Sequence, residues 1–527
     1  MIALTQRKMK LLIGVHGWSA VVLGFLLYAV VFTGTVAVLA KEIGYWSVGH
    51  VYTNSALSNP VNDIVQKLSR KVGRAYREDV SVSTTVAGNL GVFFHKELKK
   101  SDGRVRSRGV YFKVDPKTGE VLSRREGFGL FLTRSDQPSV LKRFIVDTHV
   151  QLYVPRPWGL LLTGILGLAM MAAGVSGFLI HRHLIRDAFT LRARKTSALT
   201  ARDRHSVAGT WGLPFAFLLA FTGCFFSFAG SIGIPALAMV AFGGNISQAE
   251  KIVNGTQFAR PGKRIRTADL DAMVADARKR SGGVPAGLSV EYFGRKNAKV
   301  TISHFPKFGE LRGKLYLYKG LTGEFVRQKP GVGQVPSNGS ALVAIIGPLH
   351  FGNFAGLLSK AIWVALGFSS CYVIISGLTL WLRRRLPGTA WAWFERYVHV
   401  LAIGLPLSLV ASAFAFFLYQ GTPAVVNATP LGFVIAAAGL CMLALFLSGQ
   451  VLEKALWVAL SLSLLALPVF RIAAGGPGWM SSLDNGAGIV VAVDLMLLCA
   501  AAGCGWQVWS RHLSFRSAEP VSAQQPG

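Results

Sequence analysis

Five of the eleven histidines in this 527-residue chain fall at the ends of long apolar runs: His16, His149, His181, His205 and His350. Near neutral pH an imidazole offers one lone-pair nitrogen to a metal and keeps its second nitrogen for an orienting hydrogen bond. A single histidine at such a place also suits the headgroup level of a bilayer as an amphipathic side chain. Five together carry more. If the apolar runs alternate across a membrane, His149 and His350 lie at one face and His16, His181 and His205 at the other. Two layers of imidazole in a four-helix bundle match the axial positions of two haems, one in each leaflet. The pairing is His149 with His350 in one layer and His205 with either His16 or His181 in the other. His149 and His181 are 32 residues apart, up to roughly 48 Å along a straight helix, so one haem cannot bridge them. The cysteines, Cys224, Cys371, Cys441, Cys499 and Cys504, all sit in apolar runs and form no Cys-x-x-Cys pair. Any haem is therefore expected to be b-type, held by ligation alone, and no disulfide framework is available.

The elements that must position these residues are membrane helices. Hydrophobic residues make up 51% of the chain and charged ones 15%, with a mean hydropathy of +0.43, which excludes a wholly water-soluble enzyme. Runs long enough to cross a bilayer lie near 11–40, 158–181, 206–242, 356–382, 398–419, 430–449, 454–473 and 488–509, giving an eight-span bundle. The first is too long for the core of a cleaved signal and reads as an anchor. Arg7, Lys8 and Lys10, the basic 182–205 loop and Arg383-Arg384-Arg385 fall on one side, so both termini are expected in the cytoplasm. Lys and Arg number 56 against 25 Asp and Glu, a net charge of +31, and in a membrane chain lipid and topology account for much of that excess without a nucleic-acid partner.

Two long loops, 41–157 and 243–355, then face away from the cytoplasm, between the anchor at 1–40, the paired spans and basic loop of 158–242, and the span of 356–385; spans 5 to 8 fill 386–510 and a tail follows at 511–527. Each loop reads as a small α+β domain. The first offers a helix at Val61–Tyr76, strands at Val80–Val86 and Val110–Val114, and a turn at Asp115–Gly119. The second offers a helix at Thr267–Ser281 with Thr267 as its N-cap, strands at Leu288–Phe293, Lys299–His304 and Leu315–Tyr318, and a Thr322-Gly323-Glu324 turn. Tyr111–Glu120 and Tyr316–Glu324 read as one hairpin present twice, which points to a duplicated helix, domain, helix unit. Gly14, Gly17, Gly209, Gly212, Gly352 and Gly356 lie near candidate ligands, where missing side chains leave space for a flat guest or for close helix packing.

These residues resemble the PepSY-associated transmembrane proteins, a family that includes inner-membrane di-haem ferrisiderophore reductases. The likeness rests on His16, Gly177-Phe-Leu-Ile-His181-Arg, Asp203-Arg-His205-Ser-Val-Ala-Gly209, Leu213-Pro214, Thr222-Gly223, Pro348-Leu-His350-Phe-Gly352-Asn-Phe-Ala-Gly356, Ser376-Gly377-Leu-Thr-Leu-Trp381 and the following arginines. It covers roughly residues 8–385, and the Leu-His-x-Gly-x-x-x-Gly element is its most specific part. The resemblance implies PepSY-type outer domains, haem b (about two) on the listed histidines, a bacterial inner-membrane location, and electron transfer to an Fe(III) complex such as a ferric siderophore.

Spans 5 to 8 lie outside that likeness. His399, beside Tyr397, reads as an interfacial residue or a further ligand, Glu453 and Lys454 as the cap of a short turn, and Asp494 inside span 8 as the partner of Arg471. The leading expectation is an oxidoreductase that takes electrons from the cytoplasm or from quinol and reduces an external Fe(III) complex. Oxygen donors that grip Fe(III) hold Fe(II) more weakly, so reduction releases the metal. Lys96, Lys99, Lys100, Arg104, Arg106 and Arg108, with Arg260, Lys263, Arg264 and Arg266, are placed to attract anionic complexes. No hydrolase triad, P-loop or His-Glu-x-x-His is present. Two other readings stand beside this one: a membrane-anchored PepSY protein that binds or regulates a partner protein, and a transporter drawing on the repeat and Asp494.

Overall fold

A computed structural model describes residues 5–49, 55–85, 88–99, 105–129, 132, 140–180, 189, 192, 197–254, 262–305, 310–311, 313–383, 385 and 389–516. Among them eight helices are long and apolar enough to cross a membrane: Gln6–Ala37, Trp158–Ile180, Leu199–Ala241, Gly356–Leu382, Ala390–Tyr419, Val425–Phe446, Gly449–Ala473 and Gly488–Ser510, numbered here spans 1 to 8. Span 1 begins with Thr5, whose hydroxyl accepts from the Lys8 N–H as an N-cap, so the helix starts earlier than its apolar run. Spans 3 and 5 also start upstream of their apolar runs, and each contains one π turn, at Ala229–Gly233 and Val400–Gly404.

Spans 1 to 4 form a closed ring. Span 1 packs on spans 2 and 4, and span 3 packs on the same two from the other side, so spans 1 and 3 face each other across the bundle. Spans 5 to 8 form a second bundle. It touches the first directly, the Tyr28 hydroxyl of span 1 donating to the Ala402 carbonyl, and through two shorter helices, α1 (Ala40–Val48) and α3 (Val140–Gln151): Trp46, Val140, Leu141, Phe144 and Ile145 share one apolar cluster with residues of spans 5 to 8. At the other end Trp381 of span 4 meets Trp18 of span 1 and Trp391 of span 5 edge-on, at 5.5 and 5.0 Å.

The two long loops supply four strands each: β1 (Asp79–Thr84), β2 (Leu90–Lys99), β3 (Val105–Val114) and β4 (Val121–Phe128) from the first, then β5 (Gly287–Glu291), β6 (Lys299–His304), β7 (Lys314–Lys319) and β8 (Phe325–Lys329) from the second. All eight join one antiparallel sheet in the order β4-β3-β2-β1-β5-β6-β7-β8. The joint is β1 on β5, with Val80 opposite Val290 and Val82 opposite Leu288. Strand alternation sends Val80, Val82, Val92, Phe94, Val290 and Val300 to one face, under α2 (Asn62–Arg70) and α4 (Leu270–Ser281). Those helices clasp each other at their N-termini: the Asp271 carboxylate accepts from the Val61 and Asn62 N–H groups, and the Asn62 side-chain carbonyl accepts from Leu270.

Several local expectations shift. The first loop's helix ends at Arg70, with a separate 3-10 turn at Arg74–Tyr76. The second loop's helix is capped by Asp269, while Thr267 accepts from Gly294 N–H. The duplicated hairpin is present, each copy with a β-bulge just after its turn, at Leu122 or Val326, and a left-handed glycine, Gly119 or Gly323, within the turn. Aligned on those glycines, the counterpart of Tyr316 is Phe112 in the core, not Tyr111, which lies on the opposite face.

Candidate functional site

Two short helices dip toward the ring of spans 1 to 4 at its sheet end: α3, which packs on span 1, and α5 (Asn338–Phe351), which packs on span 3. Each carries a histidine in its last turn. The imidazoles of His149 and His350 face each other with ring centroids 6.1 Å apart and planes 27° from parallel. The helix of His350 starts at a Ser337/Ser340 capping box and ends at Gly352, whose φ of 62° needs no side chain, so the chain turns back at once into span 4.

Hydrogen bonds choose the tautomer at each ring. The Nδ1–H of His149 donates to the Val30 carbonyl at 3.0 Å. Nδ1 of His350 lies 2.8 Å from the Thr222 hydroxyl, whose own proton goes to the Leu218 carbonyl, so the imidazole is the donor there too. Both rings therefore carry their lone pair on Nε2. A first-row metal binds imidazole nitrogen at about 2 Å, with the ring centroid about 1 Å beyond, so two trans ligands on one ion have centroids about 6 Å apart. The separation of His149 and His350 meets that requirement. Among the described residues no group of three or more His, Cys, Asp or Glu is placed to hold a metal ion.

The opposite end of the ring repeats the pattern. The Nδ1–H of His16, on span 1, donates to the Ala173 carbonyl at 3.1 Å and lies 3.2 Å from the Ser176 hydroxyl on span 2. His205, on span 3, donates from Nδ1 to the Ser376 hydroxyl on span 4 at 2.9 Å, the hydroxyl proton being committed to Val373. His16 and His205 thus occupy equivalent places on the two facing spans. His181 lies outside the described residues. Neither upstream aspartate orients a ring: Asp203 is clasped by the Arg192 guanidinium and backbone N–H, and Asp147 pairs with Arg143 at 3.6 Å. His399 belongs to the second bundle, 3.9 Å from Glu453.

Every described ring of this set lies against a glycine of a neighbouring span. A Cβ at Gly34 would stand 2.7 Å from His149, at Gly177 3.1 Å from His16, at Gly377 3.1 Å from His205 and at Gly223 3.5 Å from His350. The glycines singled out from the sequence do other work: Gly17 admits Trp381 and Gly352 meets Trp363, while Gly14 has nothing within 4 Å. Gly34 was the missed position. Its signal is the repeat Phe32-Thr-Gly34 and Phe221-Thr-Gly223, matched by Ser176-Gly177 and Ser376-Gly377.

Ring, paired helices and shared sheet define a multi-pass membrane protein whose first four spans are two copies of one unit. The chain belongs to the family described as the PepSY-associated TM region, which matches residues 13–384. It is also similar to an uncharacterized protein of Pseudomonas aeruginosa, 29% identical over 287 residues that make up 51% of this chain and 70% of that protein.

Proposed function

We propose that this protein is a di-haem b membrane reductase that passes electrons across the bilayer to an Fe(III) complex, a ferric siderophore among them, on the sheet side. The observation that carries the reading is the His149–His350 pair: two imidazoles with ring centroids 6.1 Å apart, each with Nε2 as its lone-pair nitrogen, which would hold a haem iron. In this reading His149 and His350 hold the sheet-side haem, and His205 with His16 holds the other, His181 being the remaining candidate for that layer. Bound haem supplies one-electron transfer. The chain's own residues do the rest. Val30, Thr222, Ala173 and Ser376 hold each ring in one tautomer and orientation. Gly34, Gly177, Gly223 and Gly377 let the rings lie close against the neighbouring spans.

Arg7, Lys8 and Lys10 beside the His16 end support a cytoplasmic location for that end in a bacterial inner membrane, with a cytoplasmic or quinol donor. The deciding experiment is a visible spectrum of the purified protein with acid-acetone extraction. About two extractable haems per chain, with alpha bands that sharpen on dithionite, are expected. A colourless, folded protein sinks the reading and leaves the partner-binding role of a PepSY protein in its place.

A further inference from the structure

Above the His149–His350 pair, on the sheet side, Lys41, Lys142 and Lys360 gather near one carboxylate, that of Glu42. Glu42 of α1 and Lys360, one turn into span 4, form a buried ion pair, with Nζ 2.6 and 2.7 Å from the two carboxylate oxygens. That pair is internally neutral. Beside it lies Lys142 of α3, half-buried, whose pKa is pushed below the ordinary lysine value first by burial and then by Lys41, with Glu42 opposing and Lys360 adding to the repulsion. Lys41 lies over the rings of Tyr45 and Phe305, 5.6 and 5.9 Å from their centroids. On the same helix Arg143 is matched by Asp147, so that carboxylate is spoken for. Among the described residues the cluster is two anions short of balance, three lysines against one carboxylate, at a place where water is partly excluded, which is costly for a cation.

Its position gives that imbalance a meaning. Lys142 precedes His149 by seven residues, two helical turns, so it lies on the same face of α3 about 10 Å nearer the sheet. Glu42 likewise follows Gly34, the residue that backs His149, by about two turns. The ammonium groups therefore stand at the sheet-side end of the imidazole pair.

We infer that Lys142, with Lys41 and the Lys360–Glu42 pair, forms a carboxylate-binding site at the sheet-side mouth of the His149–His350 pair. The inference rests on the haem reading above for one source of the carboxylate, the propionates of the sheet-side haem; the other source is a carboxylate of an external iron chelate. Full-length protein in detergent, stripped of tetrapyrrole, is titrated with haemin and with its dimethyl ester, which lacks ionised carboxylates. The part of the Soret signal that His149→Ala removes reports the sheet-side site. For the propionate source, wild type favours haemin over the ester by about tenfold, Lys142→Met brings the two within about twofold, and Lys142→Arg retains the preference. For the external source, the haemin preference is unchanged, but ferric citrate, followed by tryptophan quenching, binds about tenfold more weakly to Lys142→Met. Monodisperse Lys142→Met that matches wild type in both titrations overturns the site. If wild type takes up neither porphyrin, it is the haem reading that fails, and the ferric citrate titration decides the site alone.

Discussion

The two bundles treat buried polar groups in opposite ways. In spans 1 to 4 each described ligand-candidate imidazole has one nitrogen anchored and its lone pair on the other, and the neighbouring span withdraws its side chains to glycine. In spans 5 to 8 the buried charge is saturated from within. Asp494, expected to pair with Arg471, does so at 2.8 Å with both side chains fully buried, and it also accepts from the indole N–H groups of Trp46 and Trp479 at 2.7 and 2.9 Å. One arrangement fixes single imidazoles one at a time, and the other ties a carboxylate to a guanidinium and two indoles at once. A transporter reading built on Asp494 loses support, because an acid with that many donors has no capacity left for cargo.

The comparison breaks most visibly at the imidazoles. His149→Ala and His350→Ala are each expected to remove one haem equivalent and to abolish reduction of an external ferric complex, measured by haem extraction and by dithionite-independent chelate reduction. Full haem loading in both variants would dissolve the contrast. Next comes the glycine series. Gly34→Ala forces a Cβ against a ring pinned by Val30, so sheet-side haem affinity should fall by about tenfold, whereas Gly223→Ala meets His350 at 3.5 Å, an ordinary contact, and should be nearly silent. Equal effects would mean the glycines serve helix packing alone.

Asp494→Asn sharpens the other side of the comparison. It leaves the Arg471 guanidinium buried without its counterion, and about 3 kcal/mol of detergent-state stability should be lost with haem content unchanged. A shifted haem spectrum in a well-folded Asp494→Asn protein would instead tie the second bundle to α3 and the ligand it carries.

The smallest effect is expected in the sheet. Asp79, at the β1–β5 joint, has a pKa raised to about 7, chiefly by burial, against the opposing Tyr292 N–H, with Glu78, Glu97 and Glu291 adding to the rise. The folded chain thus holds a proton that the unfolded chain releases at lower pH, so this contribution is present in acid and lost as pH rises toward 7 and beyond. Asp79→Asn should melt above wild type near about pH 8 and converge with it near about pH 4; a constant offset across that range would dismiss the protonation argument.

What was legible in the sequence divides along the same physical line. Span number, the repeated hairpin and the Arg471–Asp494 pair follow from hydropathy sums, turn chemistry and the cost of a lone charge in lipid, all of which act over a few residues or across one short loop. Trp46, which also binds Asp494, was not legible, since its partner stands 448 residues along the chain, and Gly34 is marked only by the repeated Phe-Thr-Gly. The hairpin alignment slips by one residue because two aromatics, Tyr111 and Phe112, stand side by side in the first copy and composition does not say which one matches Tyr316. Nor does alternation reveal which strand edge finds which: β1 reads the same whether its free edge meets solvent or β5.

That last pairing bears on how the molecule is assembled. When the first four strands emerge, the β1 edge has no neighbour, and it keeps none until spans 2 and 3 have entered the bilayer and Gly287–Glu291 has been made. The sheet is a long-range closure with a correspondingly large loop to restrict, and its two halves must reach the same side of the membrane before it can form. A mistake in inserting span 2 or span 3 would strand β5 across the bilayer from its partner and leave two open strand edges, the kind of surface that seeds aggregation. Correct topology of the first bundle is thus written into the sheet as a checkpoint that only a properly threaded chain can pass.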